Sequence, residues 1–306
     1  MSKNFKGNLL LILAALLWGI SFVMQDKAGE VLSPFAINGI RSIIGSFFLI
    51  PVILFFSKKN NKPFIEKTGM ARKDLIVSGT LCGVFLCIAT NFQQFGIAYY
   101  PEGTPVEARS GFITALYVVL VPLLSIFAKK KVPAIVWGAV LVAISGFYML
   151  CLFDGISGFY LADLLVLGCT LSFSLHIIVI DKYCNIIGGV RLSAFQFVVS
   201  AVISGILALI FELDLISVSN IVSVIPQILY MGIMSSGIAY TLQIVGQRYA
   251  EPAIASLSMS LESVFAALGG WIITGNALKG NEIIGCLLVF GAIILAQIPE
   301  FKKISN

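Results

Sequence analysis

The sequence predicts an all-α membrane protein with ten transmembrane helices, built as two inverted five-helix repeats at residues 1–153 and 154–306. Three observations predict it. The 306 residues are 58% hydrophobic and 11% charged, against roughly 25% charge in a soluble domain. Ten apolar runs each approach the ~20 residues that a bilayer crossing needs. Basic residues alternate from loop to loop. A mean hydropathy of +1.00 agrees, because a polar shell around so apolar a chain would have to be far larger than this one.

The runs cover 7–25, 35–56, 74–98, 105–128, 133–152, 160–180, 191–211, 221–246, 252–274 and 281–299. The first follows a positive start, Met1 to Gly7. It continues through Trp18-Gly19-Ile20 without a small-residue cleavage pattern, so it reads as a retained helix and not as a signal peptide. Pro34, Pro105, Pro133 and Pro252 stand at helix starts, where a missing N–H costs little. Pro51, Pro122 and Pro226 fall inside runs and are expected to kink them. No linker is long enough for a soluble domain.

On the N-terminal side lie Lys3, Lys6, Lys58, Lys59, Lys62, Lys67, Arg72, Lys73, Lys129, Lys130, Lys131, Lys182, Arg191, Arg248, Lys302 and Lys303, which is 16 of the 20 basic residues. The opposite side holds Lys27, Lys279 and Arg109 among many acids: Asp26, Glu30, Glu102, Glu107, Asp154, Asp163, Glu212, Asp214 and Glu282. Both termini are therefore expected in the cytoplasm, with the chain in the plasma membrane. The net charge of +5 is a topology signal and calls for no nucleic-acid partner. The basic loop from Lys58 to Lys73 could touch anionic lipid. The six cysteines, Cys82, Cys87, Cys151, Cys169, Cys184 and Cys286, have no paired short spacing. No metal, cofactor or disulfide framework is expected. A phosphate-binding Gly-rich loop with Lys-Ser/Thr is absent, which argues against direct ATP driving.

The halves resemble each other. A shift of 155 puts Asp26-Lys27 on Asp181-Lys182, Trp18 on Phe173, Ser21 on His176 and Arg41 on Gln196. Gly96-Ile97-Ala98-Tyr99 has a counterpart in Gly246-Gln247-Arg248-Tyr249. Five is odd, so the second copy must enter the membrane upside down, a construction that lets two halves exchange conformations around a central site.

Leu16-Leu17-Trp18-Gly19-Ile20-Ser21-Phe22, Arg41, Phe112-Ile113-Thr114 through Val121-Pro122-Leu123, and Ser260-Leu261-Glu262-Ser263-Val264-Phe265-Ala266-Ala267 together resemble the drug/metabolite transporter superfamily, in its EamA-like branch of ten-helix carriers. The resemblance covers essentially the whole chain. It implies two five-helix halves around a central cavity and transport of small metabolites, often outward. The chain departs from the pattern at Glu262-Ser263, where Glu-Pro is usual. It departs again at Gly275-Asn276, where an acid often follows the glycine, so a role for that acid cannot be carried over.

Polar groups at membrane depth are costly unless paired or wetted. Arg41, about two helical turns below the outer surface, carries a planar fork that suits a carboxylate. It either anchors an anionic or zwitterionic substrate or fixes helix packing. Glu262, near the midplane, is a candidate for proton coupling, since a desolvated carboxyl favours its neutral form; hydrogen bonding to a neighbouring helix is the alternative. His176 could titrate or bind substrate, or simply pack. Asn91 with Gln94, and Tyr240 with Gln243, are i, i+3 pairs that share a face and suit a cavity lining or interhelical bonds. Trp18 and Tyr117 either form apolar walls or are ordinary packing, and Ser21 joins them among the candidate substrate contacts. Glu107 and Arg109 read as a solvated rim. Gly45, Gly83, Gly138, Gly146, Gly269, Gly270 and Gly285 suit close helix contacts.

The expected function is secondary transport of a small polar metabolite, possibly an amino acid or related compound, by alternating access and outward, with lipid as the other partner. An importer of the same fold is the alternative. An integral membrane enzyme acting on a lipid-linked substrate would need a cluster of catalytic acids or histidines at one interface, and Glu107 with Arg109 is not one. Substrate identity and oligomeric state are not legible.

Overall fold

The computed structural model describes residues 3–59, 70–102, 104, 106–151, 153, 160–274 and 279–304. The expectations placed on Lys62, Lys67, Pro105, Asp154, Gly275 and Asn276 lie outside the described residues. Within them the chain is helical, and no strand is present. We number the rods α1 (Lys3–Gly29), α2 (Pro34–Lys59), α3 (Met70–Tyr99), α4 (Val106–Ala115 and Tyr117–Phe127), α5 (Ala134–Cys151), α6 (Leu161–Tyr183), α7 (Gly189–Phe211), α8 (Ile225–Leu229, Tyr230–Ala239 and Tyr240–Gln247), α9 (Pro252–Met259 and Leu261–Thr274) and α10 (Gly280–Ile304). Among the described residues eight helices are long and apolar enough to cross a membrane, and Ala134–Met149 and Ile283–Ala296 are shorter apolar stretches. Large apolar side chains such as Phe47, Leu141 and Leu209 stand exposed, as a lipid-facing surface requires.

The rods differ from the sequence expectation inside the helices. The 221–246 run is broken at Val224, between a short helix Val218–Ser223 and Ile225–Leu229, which leaves Pro226 in the first turn of α8, where its missing N–H costs little. The interruptions in α4 and α9 fall at Leu116 and Ser260, neither of them a proline. In α9 the hydroxyls of Ser256, Ser260 and Ser263 each donate to the carbonyl three residues back, at 2.9, 2.8 and 2.8 Å. Such back-bonding competes with the helical ladder and bends it. In α4 the Ile113 carbonyl accepts the Thr170 hydroxyl at 2.8 Å and the Leu116 N–H at 3.2 Å, which tightens the turn. The middle of α8, Tyr230–Ala239, is π-helical, an unwinding that recurs at functional sites.

The packing pairs α1 with α8 and α9, α6 with α3 and α4, α2 with α7 and α8, α7 with α3, α4 with α9, and α5 with α10. Exchanging each helix with the one five places away returns the same set of pairs. The exchange extends to side chains. Gln94 of α3 donates to the Gln25 carbonyl of α1 at 3.1 Å, and Gln247 of α8 donates to the Ile177 carbonyl of α6 at 3.0 Å.

Helices meet closely where a Cβ would not fit. One at Gly146 would stand 2.8 Å from the Gly285 carbonyl and 2.9 Å from Val289, which locks α5 against α10. Gly45 and Gly83 are similarly tight against α8 and α7. Among the described residues a Cβ at Gly138 or Gly270 meets nothing within 4 Å, and one at Gly269 meets Ile20 at 3.9 Å. These three glycines do not serve the close contacts expected of them.

Candidate functional site: a polar cavity between the halves

Seven rods converge on a small cavity of about 30 Å³, room for a couple of water molecules. From α1 the lining is Trp18, Ser21, Phe22 and Gln25, spaced i, i+3, i+4 and i+7, so one face of the helix supplies all four. Arg41 comes from α2, Gln93 from α3, Tyr117 from α4, and Phe173 and Ile177 from α6. Helix α8 gives Ser235, Tyr240 and Gln243, and α9 gives Met259 and Glu262. The breaks in α4 and α9 and the π stretch of α8 thus adjoin the cavity. Irregular backbone at membrane depth is tolerated where it lines such a space.

The wall is buried and poorly satisfied. Arg41 is 3% exposed and Glu262 5%. The nearest hydrogen-bonding partner of Arg41 is Gln25, with Nη1 donating to Oε1 at 3.4 Å. Arg41 Nε, Trp18 Nε1, Ser21 Oγ, Tyr117 OH, Gln243 Oε1 and Glu262 Oε1 make no hydrogen bond of good geometry among the described residues, although the Tyr117 hydroxyl and the Glu262 carboxyl lie close enough to interact. Arg41 and Glu262 are not ion-paired to each other: the pairs among the described residues are Arg109–Asp163 and Lys130–Asp181. Buried polar atoms are normally paired, and a buried charge without a partner is costlier still. A cavity that gathers six such atoms is built for a polar occupant, water or solute. Trp18 and Tyr240 form its aromatic side, edge to face with centroids 4.8 Å apart, and Phe197 backs Tyr240 at 5.3 Å.

Seven of the ten residues singled out from the sequence are in this wall: Trp18, Ser21, Arg41, Tyr117, Tyr240, Gln243 and Glu262. Three are elsewhere. Asn91 ties α2, α3 and α7, accepting from Asn38 at 3.1 Å and donating to the Cys87 carbonyl at 2.8 Å and Ser204 at 2.9 Å. Gln94 makes its bond to α1. His176 is fully buried and bonds through Nε2 to Gln196 Oε1 at 2.9 Å, with its ring edge-on to Tyr240 at 6.0 Å. Gln25 and Gln93 are polar lining that the sequence reading missed. Both had a signal. Gln25 lies one helical turn beyond Ser21 and Phe22, and Gln93 falls on Gln243 under the shift of 150 that matches Gly96 with Gly246.

A second polar cluster closes one end of the seam between α3, α4 and α6. Arg109 donates to both oxygens of Asp163, from Nε at 2.8 Å and from Nη2 at 2.7 Å. The Tyr100 hydroxyl and the Tyr160 backbone N–H also donate to Asp163, each at 2.8 Å. The guanidinium lies over the Tyr160 ring, 4.7 Å from its centroid. Burial, and then the Asp163 carboxylate it donates to, push the Tyr100 hydroxyl above its usual range. Arg109 is therefore not a solvated rim residue: its side chain is 12% exposed, and Asp163, 54 positions away, holds it. The other end of the same seam carries the Lys130–Asp181 pair.

Comparison with known proteins gives these sites a context. A model of the EamA-like transporter family matches residues 5–152 and 160–297. An uncharacterized transporter of Archaeoglobus fulgidus is 29% identical over 97% of this chain and 87% of its own. One protein of known crystal structure superposes with a TM-score of 0.74 at 18% identity, covering 95% of this chain and 96% of that one, a likeness that speaks to the fold alone. The match spans both halves of a helical, lipid-faced chain, and the chain belongs to the EamA-like transporter family: it is a multi-pass membrane transporter of small molecules.

Proposed function

We infer that the cargo is a small zwitterionic metabolite, of amino-acid type, bound in the central cavity and moved outward in exchange for protons. The observation that carries this reading is that Arg41 and Glu262 are buried in one wall with no ion-pair partner among the described residues. The guanidinium fork suits a carboxylate, and the carboxylate suits an ammonium group. Trp18 and Tyr240 offer faces to the apolar part of the solute. Tyr117, Ser21, Gln25, Gln93 and Gln243 supply orienting hydrogen bonds. Glu262 can hold either the ammonium group or a proton. Competition for that one site couples outward cargo to inward protons, which favours export over import.

The same reading takes all ten rods as membrane crossings, in two inverted repeats at 1–153 and 154–306 with both termini in the cytoplasm of a plasma-membrane protein. Support comes from the loop charges, the packing pairs that survive the five-place exchange, and a family match that divides between 152 and 160. The Ser21/His176 and Arg41/Gln196 correspondence then gives the halves unlike polar groups at like places. His176 and Gln196 bond to each other, and Arg41 is left for the cargo.

The test is counterflow of labelled amino acids and organic acids in proteoliposomes at two imposed pH gradients. Wild type is expected to drive zwitterion flux with the gradient. Arg41→Ala is expected to lose binding. Glu262→Gln, which keeps the shape, is expected to bind but no longer respond to the gradient. Transport of the labelled amino acids by Arg41→Ala at wild-type rate, or wild-type pH dependence in Glu262→Gln, would refute the assignment.

A further inference from the structure

A second cavity opens on the membrane face, between α2, α3 and α7, with a volume of about 540 Å³. Its walls are apolar: Phe47 and Ile50 of α2, Ile76 of α3, and Phe195, Val198 and Val202 of α7. Phe47, Ile76, Val198 and Val202 are between 45% and 66% exposed, although each lies in a membrane-spanning segment. Two cations stand at one end, Arg72 in the first turn of α3 and Arg191 in the first turn of α7. Arg191 also donates to Ser57 Oγ at 3.4 Å, which holds its side chain toward α2. Among the described residues no acid is part of the lining.

The dimensions match one lipid leaflet. Along α7 the lining runs from Arg191 to Val202, and at 1.5 Å per residue this is about 17 Å. Half of a ~30 Å hydrocarbon core is about 15 Å. The groove therefore begins with two guanidinium groups at the level where phosphates lie and ends near the bilayer centre. Its cationic end is on the side of the chain termini. The arrangement does not depend on the cargo or on the proton coupling.

We propose that this groove is a binding site for one anionic phospholipid, with its phosphate between Arg72 and Arg191 and an acyl chain along α7. Both guanidinium groups can donate to a phosphate in the fork geometry that favours arginine. A zwitterionic lipid brings its own cation beside the same phosphate and loses much of the attraction. A basic side chain at an anionic surface is worth about fivefold in binding, so two acting together give a preference of about thirty-fold.

The experiment is native mass spectrometry of the purified full chain in detergent, titrated with phosphatidylglycerol or phosphatidylcholine of equal chain length. One phosphatidylglycerol per chain is expected to be retained, with about thirty-fold preference. The R72Q/R191Q variant is expected to bind both lipids alike. Val198→Trp keeps both arginines, fills an exposed part of the groove and should also weaken retention. Glycerol 1-phosphate, the same anion without chains, is not expected to displace the lipid. Equal retention of the two lipids by wild type would overturn the proposal, as would an unchanged preference in R72Q/R191Q or unchanged retention in Val198→Trp. Displacement by glycerol 1-phosphate would mean a soluble-phosphate site instead, and a dimer that buries the groove without lipid would mean a second copy is the occupant; either outcome also overturns it.

Discussion

Replacing Asp163 by alanine removes the acceptor at the centre of the seam between α3, α4 and α6. Four donors lose this acceptor: Arg109 Nε and Nη2, the Tyr100 hydroxyl and the Tyr160 backbone N–H, at 2.7–2.8 Å. Two estimates of the cost can be compared. Interhelical hydrogen bonds in membrane proteins average about 0.6 kcal/mol, so four give about 2.4 kcal/mol. Breaking a buried ion pair costs about 3–5 kcal/mol, mostly because the remaining charge is stranded. Arg109 keeps some exposure, 12% of its side chain against 3% for Asp163, which favours the lower end. The expected loss is about 3 kcal/mol. The Arg109→Met, Asp163→Leu double variant strands no charge and should lose only about 1 kcal/mol, chiefly the Tyr100 bond. The double variant should therefore be more stable than Asp163→Ala alone. Reversible unfolding in mixed micelles by SDS, followed by circular dichroism, measures both. If the double variant loses the sum of its single losses, the cost does not come from a stranded charge and the reasoning fails.

Glu212, buried at the end of α7, accepts the Phe35 and Ala36 N–H groups at 3.2 and 2.9 Å and so caps α2. Glu212→Ala should cost about 1–2 kcal/mol and Glu212→Gln less, since it keeps an acceptor; equal losses in the same unfolding assay would count against capping. Gly146→Val must push α5 from α10, at about 1–3 kcal/mol, whereas Gly138→Ala in the same helix meets open space and should be neutral or slightly stabilising. Similar effects from the two would remove the close-contact argument. Burial pushes the Cys184 thiol up to about 11, so thiolate is scarce at pH 8 and maleimide should label it only after denaturation; fast labelling of the folded protein would contradict its burial. Reporter fusions at Asn306 and in the 212–220 loop should report opposite sides of the membrane, and a same-side result would refute the ten-crossing orientation.

Sequence alone determined the helical membrane architecture, because lipid as solvent demands long apolar runs with internally satisfied backbone, and both demands are written locally. Helix positions followed within a few residues, from 7–25 becoming Lys3–Gly29 to 281–299 becoming Gly280–Ile304. Rare polar residues at membrane depth pointed to Arg41 and Glu262 for the same reason: each is costly wherever it faces lipid. Tertiary structure alone decided which polar faces meet. Neighbouring helix positions are rotated by about 100°, so Gln93 lines the cavity while Gln94 bonds to α1, and hydropathy does not distinguish them. The breaks at Leu116 and Ser260 likewise arise where backbone carbonyls are claimed by hydroxyls, in α4 by Thr170, 57 residues from Ile113. Arg109 looks like a rim charge in sequence because Asp163 is 54 positions away; only folding brings the carboxylate to it and turns a surface arginine into the lock on one end of the α4–α6 seam.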